Sequence, residues 1–412
     1  MLENVQIAQD NLRGVVKHTP LELNRRLSDK FNANIFLKRE DLQVVRSYKL
    51  RGAYNKISRL TKPQRFHGVV CASAGNHAQG VAYACALLQI KGVIYMPITT
   101  PKQKISQVEV FGKGWCEIRL FGDTFDDAQM AAHQFCELNK ATFIHPFDDK
   151  DVIAGQGTVG LEILSDAVGQ IDYLLVPVGG GGLAAGISTV FKKMSPNTVL
   201  IGVEPEGAPS MQFALKKGEP TSLNTIDKFV DGAAVKRVGE LNFDLCKDSL
   251  NEVVSVPEGK VCSSILELYN SDAMVVEPAG ALTIAALDQL TEQLRGKTVV
   301  CVVSGGNNDI NRTEEIREKA LLYEGKKHYF VIEFPQRPGA LKEFVSDVLG
   351  EKDDITYFQF TKRNNKENGP AVVGVELESQ HNLELLKNNL SGKNFGFTYL
   401  NDDTLLLNQL VG

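Results

Sequence analysis

The chain has no C-x-x-C pair, and its seven cysteines, Cys71, Cys85, Cys116, Cys136, Cys246, Cys262 and Cys301, are odd in number and widely spaced. That pattern excludes a disulfide framework or a structural zinc site as an organising device and leaves the thiols as small, reduced, buried residues. No apolar run approaches the ~20 residues of a membrane-spanning helix. The start, Met1-Leu2-Glu3-Asn4, carries neither the basic region nor the apolar core of a signal peptide, so the expectation is a cytoplasmic protein without a membrane partner. No charge of one sign dominates: 45 Lys+Arg stand against 50 Asp+Glu, a net −5. The basic residues do not gather into a tract that would neutralise a phosphate backbone, and nucleic acid is not an expected partner. Low-complexity segments and multi-copy repeats are also missing.

What remains is a globular balance, 43% hydrophobic and 23% charged over 412 residues, with room for two or three domains. From about Gly68 to Asn307 one grammar recurs: a short β-branched run, a Gly-rich turn, then a longer segment with helical periodicity. Candidate strands are Gly68–Ala72, Gly92–Met96, Tyr173–Val178, Val199–Val203 and Thr298–Val303, whose continuous apolar character fits a mainly parallel α/β sheet covered on both faces. Near Asn311 to Lys327 the pattern lapses into the charged stretch Thr313–Lys319, read as an exposed helix or linker at a domain boundary. The expected domains are 1–312, with a smaller subdomain at approximately 50–147, a linker at 313–326, and 327–412. In the last of these, strand (Tyr329–Phe334), helix (Gly339–Leu349), two strands (Ile355–Thr361, Ala371–Glu378), helix (Leu383–Leu390) and strand (Phe397–Leu400) give the ferredoxin-like order βαββαβ.

The strongest local signal is Gly179-Gly180-Gly181-Gly182-Leu183, which follows a strand and opens an apolar helix. A run of glycines lets the backbone turn with positive φ and bring several N–H groups and a helix N-terminus onto a phosphate. A nicotinamide dinucleotide would draw on Glu204 at the end of the next strand to hold a ribose. The glycine spacing fits that fingerprint imperfectly, and the turn lies midway along the chain rather than in its first βα unit. Lys49, in Ser47-Tyr48-Lys49-Leu50-Arg51-Gly52-Ala53, sits among small and aromatic neighbours, where burial would lower its pKa and ready it for Schiff-base chemistry. Ser73-Ala74-Gly75-Asn76-His77 leads from a strand into a helix, a turn whose free amides suit a substrate carboxylate, although His77 reads equally well as a structural histidine. Ser304-Gly305-Gly306-Asn307-Asn308 closes a buried strand, where ligands of open α/β sheets collect.

Together with Glu277-Pro278-Ala279-Gly280-Ala281, these pieces resemble, in order and spacing, the pyridoxal-phosphate (PLP) enzymes of the tryptophan-synthase-β type, and specifically the threonine ammonia-lyases, or threonine dehydratases. The resemblance covers essentially the whole chain. It implies two parallel-sheet α/β subdomains with PLP joined to Lys49, Asn76 on the cofactor's ring hydroxyl, Gly179, Gly180, Gly181, Gly182 and Leu183 around its phosphate, and Ser304 at its pyridine nitrogen. The substrate loop would be Ser73, Ala74, Gly75, Asn76 and His77. The implied reaction eliminates water from L-threonine and then hydrolyses the resulting enamine to 2-oxobutanoate and ammonia, the first step of isoleucine biosynthesis. The alternatives are a catabolic serine/threonine dehydratase and an NAD-binding oxidoreductase.

Tyr48 stands where relatives commonly carry Phe, and Ala74 stands where racemases of this fold resemble one another in having a serine acid/base, which favours elimination. Ser210 replaces the second carboxylate of a divalent site, so no magnesium is expected, while a monovalent cation at Glu204, Ala208 and Ser210 stays open. The C-terminal part resembles the single ACT-like regulatory domain of the short, biosynthetic form of these enzymes. Isoleucine, with valine as a second candidate, would bind near Arg337, Pro338, Gly339, Ala340, Leu341, Tyr357 and Phe358. The resemblance also implies a homo-oligomer, a dimer or tetramer.

Overall fold

The apolar runs expected as strands are strands in the computed structural model, which describes residues 1–361 and 367–411. Residues 362–366 and 412 of the expected 327–412 domain lie outside the described residues. By contacts the chain divides into a first unit, Met1–Asn311, and a second from Arg312 onward. The first unit holds β1 (Leu21–Leu23), β2 (Asn34–Arg39), β3 (Val69–Ala72), β4 (Gly92–Met96), β5 (Cys116–Leu120), β6 (Thr142–Phe143), β7 (Tyr173–Pro177), β8 (Val199–Pro205), β9 (Glu252–Val256) and β10 (Thr298–Val303). One sheet runs β1-β2-β10-β7-β8-β9, with only β1 antiparallel to its neighbour, and a smaller all-parallel sheet runs β5-β4-β3-β6. Val299 to Val303 of β10 are buried throughout, as a strand covered on both faces requires.

The helix Lys150–Asp166 sets the distances that matter for the site. Val152 through Ile163 are all buried, because two other helices pack against it at closest approach. A methyl group at Gly155 would lie 2.5 Å from the Arg51 carbonyl oxygen and 2.7 Å from Gly52 Cα, so the helix Lys49–Ser58 presses directly on it. A methyl at Gly186 would lie 2.6 Å from both Gly157 N and Ile153 O, so the helix Gly182–Met194 does the same. Lys49 opens the first of these helices and the glycine run opens the second. Their separation is therefore fixed by glycine-mediated contacts to one shared helix, and any side chain there would push the two ends apart.

A buried ionic cluster pins the same helices to β2. Arg51, fully buried, donates to Glu40 at 2.7 and 2.8 Å and to Glu162 at 2.6 and 2.8 Å. Lys38 donates to Glu162 at 2.7 Å and to the Thr19 carbonyl at 2.6 Å. Each buried charge thus has an opposite partner and directed hydrogen bonds, the condition under which such groups are tolerated.

The second unit contains β11 (Lys327–Pro335), β12 (Asp354–Phe360), β13 (Asn368–Glu376) and β14 (Gly396–Tyr399), all antiparallel in the order β12-β13-β11-β14. With the helices Ala340–Asp347 and Leu383–Gly392 this is the ferredoxin-like arrangement, and its core gathers Phe330, Ile332, Phe334, Phe344, Val373 and Leu386. Among the described residues, two α-helices lie outside that pattern. Thr404–Leu410 extends the C-terminus, and the charged stretch read as helix or linker is the helix Thr313–Tyr323. The latter buries Ile316 and Ala320, and its Glu318 accepts from the Tyr329 hydroxyl at 2.5 Å, tying it to β11.

Candidate active site

Four of the five quoted motifs meet through hydrogen bonds. Ser47 bridges to Gly305, the Tyr48 amide donates to the Ser304 carbonyl at 3.2 Å, and the Gly306 amide donates to the Arg46 carbonyl at 2.9 Å. Arg46 takes a positive φ of 56°, uncommon outside glycine, to offer that carbonyl. The loop after β10 then meets the start of the helix Pro278–Ala285, where the Glu277 amide donates to Gly305 O at 3.2 Å. Asn76 joins the sets: its Nδ2 donates to Glu277 Oε1 at 2.6 Å, and its Oδ1 accepts from Asn307 Nδ2 at 2.7 Å. Burial, with the nearby charge of Asp231, pushes the Glu277 carboxyl up to about 7.

Lys49 is the first residue of its helix, and its amine donates to the Pro146 carbonyl at 2.8 Å. Burial lowers its pKa to about 8, against Glu277, which pulls it up. Pro146 belongs to the stretch 145–148 that crosses to the glycine run. There the Phe147 ring covers Gly180 so closely that a Cβ on Gly180 would lie 2.4 Å from it. His145 Nδ1 accepts the amides of Phe147 (3.2 Å) and Asp148 (2.7 Å), and burial holds its pKa at about 4. His77 is neutral as well: burial and the Lys49 charge hold it at about 3, and its Nε2 pairs with the Ile144 carbonyl at 2.8 Å. The imidazole supports the fold around β3, and Nδ1 is buried without a partner among the described residues.

Between these walls lie two sets of free amides. Gly181 has φ +92° and caps the helix Gly182–Met194. Among the described residues, no acceptor pairs with the amides from Gly179 to Ala184, whereas Gly180 O and Gly181 O are both engaged. The second set opens the helix Asn76–Leu88 after Ser73, Ala74 and Gly75. Ser73 Oγ accepts the Gly75 amide at 3.2 Å, and the space where a Gly75 Cβ would stand is empty to 4 Å. One partly buried amine, a buried carboxyl near neutrality and two anion-receptive helix starts can bind a phosphate and a carboxylate and move a proton between them.

Residues 12–305 match the family model described as pyridoxal-phosphate dependent enzyme, and residues 318–410 match the one described as C-terminal regulatory domain of threonine dehydratase. The chain is 55% identical over 410 residues to the L-threonine dehydratase biosynthetic IlvA of Halalkalibacterium halodurans, spanning 100% of this chain and 99% of that one. To the protein of the same description from Bacillus subtilis it is 54% identical, spanning 100% and 97%. The chain belongs to the biosynthetic threonine dehydratases of the pyridoxal-phosphate-dependent enzyme family. Among solved structures, the processed threonine deaminase isoform 2 of Solanum lycopersicum matches with a TM-score of 0.73 and 40% identity, over 77% of this chain and 94% of that one. The maize serine racemase matches with a TM-score of 0.72 and 29% identity, over 78% and 98%.

The residues present fit the family's cofactor. Unpaired amides around a left-handed glycine suit its phosphate, Lys49 supplies the amine, and Ser304, buried at the end of β10, offers a hydroxyl. The oxidoreductase alternative, by contrast, loses its acid. Glu204 is fully buried and caps the helix Ser210–Lys217, accepting the amides of Met211 (2.7 Å) and Gln212 (2.8 Å). It is not free to hold a ribose. Burial raises its pKa to about 7, Ser210 Oγ lies 3.4 Å away, and the Ala208 carbonyl accepts from the Ser210 amide. No cluster of three His, Cys, Asp or Glu suited to a metal occurs among the described residues.

In the second unit Gly339 takes φ +90° and caps the helix Ala340–Asp347, Ala340 is buried, Leu341 is exposed, and Arg337 pairs with Glu343 at 2.5 Å. Tyr357 and Phe358 face opposite sides of the sheet: Tyr357 meets Tyr329 edge-on, and Phe358 meets Phe334 at 5.8 Å, beside the 335–341 turn. Only Phe358 of the two lies on the side of that turn. Glu277 and Asn307 stand within the sequence motifs above without an assigned role, and Pro146 and Phe147 stand in none of them. The Glu277-Pro278 pair, a helix-start signature, is the available signal for the first of these; nothing in His145-Pro146-Phe147-Asp148 advertises a carbonyl that will meet Lys49.

Proposed function

We propose that this chain converts L-threonine to 2-oxobutanoate and ammonia at Lys49, as the first step of isoleucine biosynthesis. The observation that carries the reading is the Lys49 amine, held at 2.8 Å by Pro146 O in the same site as the unpaired amides of Gly179 to Ala184. Bound PLP supplies an electron sink for the pair left when Cα loses its proton. The chain's own residues do the rest. The glycine amides would hold the phosphate, Ser304 Oγ would donate to the pyridine nitrogen, and Asn76, its amide plane fixed by Glu277 and Asn307, would meet the ring hydroxyl. The amides of Ala74, Asn76 and His77 receive the substrate carboxylate. With a pKa lowered to about 8, Lys49 is partly unprotonated near neutral pH and takes the Cα proton as general base. As a neutral donor, Ser304 would not hold the ring nitrogen of bound PLP protonated as a carboxylate would, and the shallower sink would favour β-elimination.

A keto-acid assay with threonine and serine, with and without isoleucine, tests the reading. Threonine turnover damped by isoleucine is expected, and turnover of neither amino acid would refute it. Feedback is assigned to the second unit, with isoleucine, or valine, bound near Arg337 to Leu341 and Phe358. Coupling of this kind is typically ~1–3 kcal/mol. Calorimetry should register isoleucine on the full chain and none on a chain ending at Asn311; heat retained by the shortened chain would refute the placement. As a biosynthetic enzyme of small charged metabolites, the protein is read as cytoplasmic and as a homo-oligomer, a dimer or tetramer.

A further inference from the structure

Asn242 is fully buried, yet it belongs to none of the motifs above. It sits in the helix Glu240–Cys246, and its Nδ2 donates to two backbone carbonyls from different parts of the chain, Gly180 O at 2.7 Å and Phe147 O at 3.2 Å. Its Oδ1 is buried with no partner among the described residues. An orphaned acceptor of that kind is costly, so the two carbonyl bonds must offset it.

What those bonds achieve follows from peptide geometry. In a trans peptide the C=O of one residue and the N–H of the next point in opposite directions. Gly180 O is held on one side by Asn242 Nδ2 and by the Gly239 amide at 3.1 Å, which turns the Gly181 N–H the other way, among the unpaired amides. The approach is tight, since a Cβ on Gly181 would lie 2.9 Å from Asn242 Cβ. At the other carbonyl, Asn242 fixes the peptide after Phe147, adjacent to the one whose Pro146 O holds Lys49 Nζ. Asp148 locks the same junction from the opposite direction, accepting the amides of Glu240 (3.0 Å) and Leu241 (3.1 Å).

We propose that Asn242 is a positioning residue that aims the Gly181 amide at the cofactor phosphate and, through Phe147 and Pro146, sets the place of the Lys49 amine. The proposal rests on the reading of the glycine turn as the PLP phosphate site. It predicts linked effects at both ends of the cofactor, which a side chain that merely filled space would not produce.

The test uses the full-length chain stripped of cofactor and titrated with PLP, with the visible band recorded as a function of pH and the thermal midpoint of the stripped protein recorded alongside. In Asn242→Ala the PLP dissociation constant should rise roughly tenfold or more, as expected when Gly180 O keeps only the Gly239 amide and Phe147 O loses its side-chain donor, and the pH midpoint of the visible band should move. Asn242→Ser, which keeps a small donor, should recover part of both. If the parent chain takes up no PLP, the cofactor reading itself fails. If the parent binds and Asn242→Ala binds within about twofold of it, the clamp is refuted. Weaker binding with an unmoved pH midpoint refutes the link to Lys49. Should Asn242→Ala not fold, the same thresholds apply to Asn242→Ser against the parent.

Discussion

Arg51→Met places an apolar side chain of similar length where the guanidinium now makes four hydrogen bonds of 2.6–2.8 Å to Glu40 and Glu162. After the change Glu162 keeps Lys38 at 2.7 Å, but Glu40, fully buried, keeps only neutral donors, Thr19 Oγ1 at 2.5 Å and Gln43 Nε2 at 3.4 Å. Removing one partner of a buried ionic cluster costs about 3–5 kcal/mol, because the remaining charge is left uncompensated. For a unit of this size that is a fall in Tm on the order of 10 °C. The sole tryptophan, Trp115, packs on the core of the smaller sheet, so its fluorescence reports unfolding of the first unit. The deficit should also depend on pH. Burial would raise the Glu162 carboxyl, but Arg51 and then Lys38 outweigh it and hold the group below its ordinary value. A depressed folded pKa gives stability that is present above the unfolded value of about 4.3 and is lost as pH falls through the folded one. In the variant much of that contribution is missing, so the gap between parent and variant should hold from neutrality down to about pH 4.3 and close over the range below it, as the pH falls through the depressed Glu162 value. A deficit under about 1 kcal/mol, the range of a surface pair, or one that stays flat across that lower range, would refute the reasoning.

Gly180→Ala would set a methyl 2.4 Å from the Phe147 ring. Overpacking of that kind costs about 1–3 kcal/mol, and PLP titration should show weaker binding; unchanged affinity would mean that the ring yields freely. Glu277→Gln removes a carboxyl that ionises at about 7, protonated below and anionic above, and so should abolish an acid limb near pH 7 in the profile of kcat/KM. Persistence of that limb in the variant would assign it to another group.

Legibility followed the physics of each signal. Strands β3, β4, β7, β8 and β10 were readable because both of their faces are buried and their residues are continuously apolar. β2 was not, since its end runs into four consecutive charged residues, Lys38-Arg39-Glu40-Asp41, which form no apolar run, although Lys38 is fully buried against Glu162. β5 has only half-buried and exposed positions, with charged residues at Glu117 and Arg119 of Cys116-Glu117-Ile118-Arg119-Leu120, and offers no apolar run at all. In the site, Lys49 and the glycine run were legible because their chemistry demands unusual residues in unusual company. Pro146 acts through a backbone carbonyl, which every residue type carries, and Asn242 lies 62 positions from the carbonyl it holds, so composition and spacing mark neither.

Lys49 is assigned as the residue that carries the cofactor beside the glycine cradle, and borohydride reduction of the PLP-loaded chain, followed by peptide mapping, tests that assignment most directly. The account predicts a pyridoxyl label on Lys49 and loss of both label and yellow colour in Lys49→Ala; a label confined to other lysines, or colour that survives that substitution, would contradict it.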